Sequence, residues 1–258
     1  MTTHRTPPQP PVPIGLARPF SWLARGGMDL LNNPWPGLLH GALLALFGAA
    51  LAWVARDQFW WLAGAFSGFL IVAPVLATGL YAVSRGLEHG QLMAPAEVWR
   101  LWRSRDRRLV QFGLLLGLAG TGWVLTSAGL ITLWSPVPIH KPEDFFRHVV
   151  LADDPGLFEA WMLLGALLAA PVFASSVITL PLLVDTPLPV WVAVRQSWRV
   201  VADHPQVMVL WALCMVVLVG LGMLTALVGL VVVVPVLGHA SWHAYRDLCP
   251  QPMAATLP

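Results

Sequence analysis

Long apolar blocks alternate with short polar segments along most of the chain. A membrane-spanning helix needs about 20 mostly apolar residues. Four blocks have that length, at about 37–55, 60–82, 109–134 and 159–183. A fifth run, from Gln206 to Tyr245, is too long for one span, and a break near Gly222–Gly229 divides it into spans at about 206–224 and 227–246. The pattern predicts six transmembrane helices.

Three of these blocks carry a similar proline-centred segment. The segments are APVLATGLYAVSRGL from Ala73, APVFASSVITLPLLV from Ala170 and VPVLGHASWHAYRDL from Val234. Proline inside a helix removes a backbone hydrogen bond and bends the helix. We therefore expect the second, fourth and sixth spans to be kinked. A polar residue stands four positions after each proline, and equivalent positions predict a polar patch in the bundle formed by Thr78, Ser175 and His239.

A segment rich in tryptophan and arginine precedes each odd-numbered span. These segments begin near a proline and start at Arg18, Ala94 and Leu188. Tryptophan and arginine at a span boundary are typical of helices that lie in the membrane interface. The alternative is that they are linkers packed on the bundle. The predicted fold is an all-α membrane protein of three pseudo-repeated units, each with an interfacial helix, a straight span and a proline-kinked span.

Composition supports a membrane protein. The chain is 57% apolar and only 11% charged, whereas soluble domains are about 25% charged. The first residues are proline-rich and lack the apolar core of a signal peptide. We expect a disordered tail at 1–16, one membrane domain at 17–248 and a short tail at 249–258. The net charge of +2 is too small and too scattered to indicate nucleic acid, and we expect no nucleic-acid partner.

The distribution of arginine predicts the orientation. With the first residue in the cytoplasm, 12 Arg and Lys residues lie on the cytoplasmic side and 3 on the other. Positive residues concentrate on the cytoplasmic side of membrane proteins, so both termini are predicted to be cytoplasmic. The residues expected to set orientation or contact lipid headgroups are Arg100, Arg103, Arg105, Arg107, Arg108, Arg195 and Arg199.

Histidines near the cytoplasmic end allow two interpretations. His239 and His243 are four residues apart on a predicted helix, and His40 lies near the same depth in the first span. Two of these three side chains are sufficient to ligate a haem iron or a copper ion. The alternative is that His239 makes an ordinary hydrogen bond inside the bundle and His243 is an interfacial polar residue. We expect no cofactor, with haem or copper as the alternative.

The chain also resembles a bacterial family of multi-span inner-membrane proteins of unknown function, some of whose members are labelled putative cytochrome c oxidase subunits. The likeness extends over about Leu16 to Leu248. Its most specific parts are the Asn33-Pro34 turn, GFLIVAPVLATGLYAVSR from Gly68 and PVLGHASWHAYRDL from Pro235. The resemblance implies a six-span protein of the bacterial inner membrane and brings no established activity.

Three functions are compatible with these patterns. The first is a non-enzymatic interaction or assembly factor that contacts the bilayer and another membrane protein. The second, from the resemblance and the histidines, is an accessory protein of a respiratory oxidase that handles haem or copper. The third is a small-molecule or lipid transporter, because helices interrupted by proline frequently line substrate sites.

Overall fold

The computed structural model describes residues 14–54, 65, 76, 78–103, 106–152 and 156–249. Every element in these ranges is helical. The helices are α1 (Arg18–Asn32), α2 (Pro34–Val54), α3 (described over 78–88), α4 (Pro95–Trp102), α5 (Arg107–Trp134), α6 (Pro142–Phe145), a π-helical turn (Phe146–Val150), α7 (Leu157–Ser176), α8 (Thr179–Asp185), α9 (Val190–Asp203), α10 (Pro205–Leu224) and α11 (Leu230–Leu248). Both predicted tails lie almost wholly outside the described residues.

Four of the predicted spans are confirmed as helices of sufficient length and hydropathy to cross a membrane. Among the described residues these helices are Pro34–Val54, Arg107–Trp134, Leu157–Asp185 and Pro205–Leu224. They correspond to the first, third, fourth and fifth predicted spans. Most of the second predicted span, 60–82, lies outside the described residues.

The sixth predicted span differs from the other four. α11 has the expected position, but it is not among the helices apolar enough to cross a membrane. Its second half carries His239, His243, Arg246 and Asp247 in place of apolar residues. Ten of its 19 residues are buried within the protein, so its environment is largely other helices. Six membrane crossings therefore remain a prediction.

The breaks between helices follow from local chemistry. Residues 177–178 interrupt the fourth predicted span between α7 and α8, and Pro181 stands four residues after the break begins. The ring of Pro181 blocks a hydrogen bond to the carbonyl four residues earlier, at Val177, which explains the interruption there. Pro171 and Pro235 are accommodated inside α7 and α11. The predicted break near Gly222–Gly229 is confirmed as a turn at 225–229.

The three predicted Trp- and Arg-bearing segments all form helices. They are α1, α4 and α9, and each directly precedes an apolar helix, α2, α5 and α10 respectively. Each has a proline at its start: Pro19 and Pro95 lie in the first turn of α1 and α4, where the fixed backbone angle and missing amide hydrogen of proline suit a helix, and Pro189 directly precedes α9. The helices agree with the predicted order of elements, while the threefold repeat itself remains a prediction.

Side-chain contacts place these three junctions at one end of the bundle. Asn33 donates a hydrogen bond to the carbonyl of Met93, which joins the start of α2 to the segment before α4. Arg108, at the start of α5, donates to the carbonyl of Leu188 before α9. Trp22 on α1 donates to Asp247 at the end of α11. We call this end the arginine-bearing end.

α11 is the central helix of the half of the bundle that contains the site. α1 and α2 both pack along it, and both use glycine at the crossing. A Cβ at Gly26 of α1 would lie 2.6 Å from the amide nitrogen of Ala240. A Cβ at Gly37 of α2 would lie 3.0 Å from Cβ of Pro235. Small residues at helix crossings allow backbones to approach closely in membrane proteins.

Candidate functional site

Four buried polar residues from three helices form a hydrogen-bonded group, which we call the buried polar cluster. Its members are Asp29 of α1, Ser84 of α3, and His239 and His243 of α11. Oγ of Ser84 lies 2.7 Å from Oδ2 of Asp29 and 2.8 Å from Nδ1 of His239. Nε2 of His243 lies 2.9 Å from Oδ2 of Asp29. These contacts join residues that are up to 214 positions apart in the chain.

Helix geometry explains how these side chains converge. His239 and His243 are four residues apart and therefore share one face of α11. Asp29 is three residues after Gly26, so it lies on the face of α1 that approaches the backbone of α11. The absence of a side chain at Gly26 brings the carboxylate of Asp29 within reach of His243.

The hydrogen bonds hold Asp29 in its ionised form. Burial raises the pKa of Asp29, but hydrogen bonds from His243 and Ser84 outweigh that effect and lower the pKa below its ordinary value of 3.8. A carboxylate has no hydrogen to donate. Ser84 and His243 must therefore be the donors in their contacts with Asp29.

His239 has one ring nitrogen without a hydrogen-bond partner among the described residues. Nδ1 faces Ser84, whereas Nε2 is buried and unpaired there. The side chain is 0% exposed, so bulk water does not reach it. Gly37 of α2 lies beside this nitrogen, since a Cβ built on Gly37 would stand 3.4 Å from Nε2. An unpaired buried polar atom is costly and suggests a function.

Two of the three predicted metal ligands are engaged in hydrogen bonds in the structure. Nε2 of His40 donates to the carbonyl of Leu76, and Nε2 of His243 is bound to Asp29. Within the described ranges, no group of three or more His, Cys, Asp or Glu side chains is placed to hold a metal ion. Binding of a haem iron or copper ion by two of these histidines stays a prediction.

The residues of the predicted polar patch lie in different surroundings. His239 belongs to the buried polar cluster. Thr78 is buried on α3. Oγ of Ser175 accepts a hydrogen bond of 2.9 Å from Nε1 of Trp198 on α9. The patch as such remains a prediction, and one hydrogen bond of His239 goes to Ser84.

A second polar network, beside the cluster, secures α1 at the arginine-bearing end. Oδ2 of Asp247 on α11 accepts a 2.8 Å hydrogen bond from Nε1 of Trp22 and a 2.6 Å one from Nη2 of Arg25. Arg18 adds an ion pair at 3.6 Å. Trp22 is fully buried and packs edge-on against Trp211 of α10, with ring centroids 5.6 Å apart. α1 is thus fixed to both α10 and α11.

A third group of contacts joins α3, α8 and α11. The hydroxyl of Tyr245 donates to Oδ2 of Asp185 at 2.7 Å, and Nε1 of Trp242 donates to Oε1 of Glu88 at 3.0 Å. Arg246 lies 3.4 Å from Glu88, and Arg85 lies 3.6 Å from Asp185. These contacts therefore pair Arg85 with Asp185 and Arg246 with Glu88 between helices.

The predicted lipid-facing arginines divide into two groups, and Arg105 lies outside the described residues. Arg108 turns inward and donates to the carbonyls of Leu183, Thr186 and Leu188 at 2.7–3.0 Å. Its role is to hold the α8–α9 connection. The others have exposed side chains, which leaves them available to headgroups; they are Arg100, Arg103, Arg107, Arg195 and Arg199.

Sequence reasoning missed Asp29 and Ser84. A search limited to the apolar spans does not find Asp29, because this carboxylate lies in a helix before the first span. One signal was present in the sequence. Trp22, Gly26 and Asp29 follow helical spacing and form one stripe of α1, and all three are buried. A carboxylate in the buried stripe of an amphipathic helix requires a partner.

Comparisons with known proteins agree with a membrane protein of unknown function. Residues 61–185, just under half of the chain, match the model of a family described as "Predicted integral membrane protein (DUF2189)". This match is shorter than the stretch from Leu16 to Leu248 on which the sequence motifs indicated a family. No curated protein and no solved structure matches the chain. With its four long apolar helices, the chain is an integral membrane protein.

Proposed function

We propose that the protein is a non-enzymatic interaction or assembly factor of the bacterial inner membrane, with both termini in the cytoplasm. The observation that carries the proposal is the exposed aromatic and basic surface of α4 and α9 at the arginine-bearing end. This surface lies where spans enter the membrane. It offers contacts to lipid headgroups and to a neighbouring membrane protein.

α9 provides the clearest part of this surface. Its inner face buries Ala193, Ser197 and Val200 against the bundle. On its outer face, Trp191 is 61% exposed and Trp198 is 47% exposed. The guanidinium of Arg195 lies 4.7 Å from the ring centroid of Trp191. Exposed Trp and Arg are enriched at membrane boundaries and in protein interfaces, so this face suits both kinds of partner.

α4 repeats the arrangement with fewer residues. Val98 is buried, while Trp99 and Arg100 are exposed on the opposite side. Arg100 is near Glu97, at 3.7 Å, but both side chains are largely in solvent and the pair contributes little to stability. The positive-inside rule supports a cytoplasmic location for this end.

Photo-crosslinking in native membranes tests the proposal. A photoreactive amino acid replaces Trp198 or Trp99 in the full chain, and the control position is Leu133, which is 90% exposed at the other end of α5. We expect a discrete protein adduct from the α4 and α9 positions and none from Leu133. Only lipid adducts, or the same protein adducts from all three positions, would contradict an interaction surface at this end.

A small-molecule or lipid transporter is the second candidate, and one observation favours it. His239 presents an unpaired, fully buried Nε2 atom beside Gly37. Such an atom suits a donor group of a bound ligand. Ligand-dependent thermal stabilisation in detergent tests this function, since a ligand that binds only the folded state raises its stability. A matching loss of the effect in His239→Gln is expected, and stabilisation that persists in this variant would exclude the site.

Handling of haem or copper is the third hypothesis, and its candidate ligands are His239, His243 and His40. His40 and His243 each engage Nε2 with another group, whereas Nε2 of His239 has no partner among the described residues. Elemental mass spectrometry of protein purified without chelator tests it. About one iron or copper per chain, lost in His239→Ala, would support the hypothesis.

A further inference from the structure

A continuous chain of hydrogen bonds leads from His239 through Ser84 to Asp29. The two links measure 2.8 Å and 2.7 Å, and they join α11, α3 and α1. Ser84 and His239 are both 0% exposed. The part of the chain formed by His239 and Ser84 is therefore shielded from bulk water, and Asp29 at its end is 9% exposed.

The number of hydrogens fixes the direction of these bonds. The hydroxyl of Ser84 has a single hydrogen, and ionised Asp29 can only accept, so Ser84 donates to Asp29. Ser84 must then accept from His239, which requires the hydrogen of the neutral imidazole to be on Nδ1. Nε2 of His239 is left with a lone pair, and it is the atom that has no partner among the described residues.

We propose that His239, Ser84 and Asp29 form a proton relay between the interior of the bundle and α1. When a hydronium ion reaches this atom from within the bundle, it transfers a proton to Nε2 of His239, so that an N–H bond forms there and a neutral water is left. The Nδ1 hydrogen passes to Oγ of Ser84, and the original hydroxyl hydrogen of Ser84 passes to Oδ2 of Asp29. The result is a neutral carboxylic acid and a neutral His239 with its hydrogen on Nε2, so one proton is gained and no group is oxidised or reduced.

Neighbouring ionisable groups leave this path intact. His243 donates to the same oxygen of Asp29, and His40 of α2 donates to the carbonyl of Leu76. Arg25 of α1 is bound to Asp247. Arg85 and Glu88 of α3 are engaged with Asp185 of α8 and with Trp242 and Arg246 of α11. The sequence of α10 contains no Asp, Glu, His, Lys or Arg.

The relay adds a function that the proposed interaction surface does not require, and the two can fail separately. Movement of a proton to Asp29 neutralises the carboxylate that holds Ser84 and His243. It therefore changes the contact between α1 and α11 without any change in the exposed faces of α4 and α9.

Solid-state NMR of the full chain in lipid bilayers tests the relay. The protein carries ¹⁵N-histidine and ¹³C-aspartate, and His239→Gln and Asp29→Asn identify the two signals. Near neutral pH we expect His239 to carry its hydrogen on Nδ1. On acidification, the change at His239 and the protonation of Asp29 should share one midpoint, since groups in contact titrate as a pair.

Two serine variants complete the test. Ser84→Ala removes the bridging hydroxyl, and the midpoints of His239 and Asp29 should separate by about one pH unit or more. Ser241→Ala is the matched control, because Ser241 is also buried but donates only to the carbonyl of Leu237 on its own helix. The control should behave as the wild type. A hydrogen on Nε2 in the wild type at neutral pH, separate midpoints in the wild type, or a shared midpoint that persists in Ser84→Ala would each overturn the proposal.

Discussion

The close approach of α1 to α11 is most directly tested by two single substitutions, each of which adds one methyl group at one of two adjacent glycines of α1. A Cβ at Gly26 would lie 2.6 Å from the amide nitrogen of Ala240 and 2.6 Å from the carbonyl oxygen of Val236. That is about 0.8 Å closer than the 3.4 Å at which ordinary contact begins. The obstacles are backbone atoms, so no side-chain rotation relieves them. Forced overpacking of this kind costs about 1–3 kcal/mol.

Gly27 provides the matched control on the same helix. Nothing lies within 4 Å of a Cβ at this position. Replacing glycine by alanine inside a helix contributes up to about 1 kcal/mol, and this gain is similar at the two sites. The difference between Gly26→Ala and Gly27→Ala therefore isolates the clash. We expect the free energy of unfolding of Gly27→Ala to equal or exceed that of the wild type. We expect that of Gly26→Ala to be lower than that of Gly27→Ala by about 1–3 kcal/mol.

Reversible unfolding in mixed detergent micelles, followed by tryptophan fluorescence, measures this difference. Trp22 on α1 and Trp211 on α10 are in contact, so their emission reports the docking of α1. If the two variants have the same free energy of unfolding within about 0.5 kcal/mol, the close approach of α1 and α11 at Gly26 is wrong.

Three further predictions concern charged groups at the same end. The pKa of Asp29 is lowered in the folded state, so the ionised carboxylate stabilises the fold at pH values above 3.8, and this contribution is lost as the pH falls through the lower folded pKa. The melting temperature of the wild type should therefore drop at acid pH, and that of Asp29→Asn should drop less. Arg108→Lys should lower the free energy of unfolding by about 1–3 kcal/mol, because lysine cannot reach three backbone carbonyls at once. Arg100→Lys is the control, because Arg100 belongs to an exposed ion pair, and it should change the free energy of unfolding by less than about 0.5 kcal/mol. Denaturant titrations that give the same change for Arg108→Lys and Arg100→Lys would contradict the inward role of Arg108. Asp247→Asn weakens the bonds from Trp22 and Arg25 and should increase proteolysis of α1 in intact micelles, whereas unchanged cleavage would show that these bonds do not hold the helix.

The sequence alone determined the features that depend on local composition. α2, α5, α10 and the combined α7–α8 segment were predictable, because a run of about 20 apolar residues has few alternatives to a buried or membrane helix. The three amphipathic helices before α2, α5 and α10 were also predictable, since proline, tryptophan and arginine occur together at their starts. The turn at 225–229 followed from the length of the apolar run and its glycines.

Other features depended on tertiary structure, because they join residues far apart in the chain. Hydropathy reports the average environment of a segment and does not show which helix lies at the centre of a bundle. α11 was predicted as one span among six, and the structure places it against both α1 and α2. Its buried position explains how two histidines are tolerated in it, since neighbouring helices supply their hydrogen-bond partners.

The buried polar cluster shows the same limit most clearly. His239 and His243 were identified from their spacing, but their partners are 155 and 214 positions away, in helices that no local pattern pairs with α11. Ser84 and Asp29 look ordinary in sequence, since a serine near a span end and an aspartate in an amphipathic helix are both common. The close approach allowed by Gly26 brings that aspartate to the histidines, and only the packing of α1 on α11 decides it.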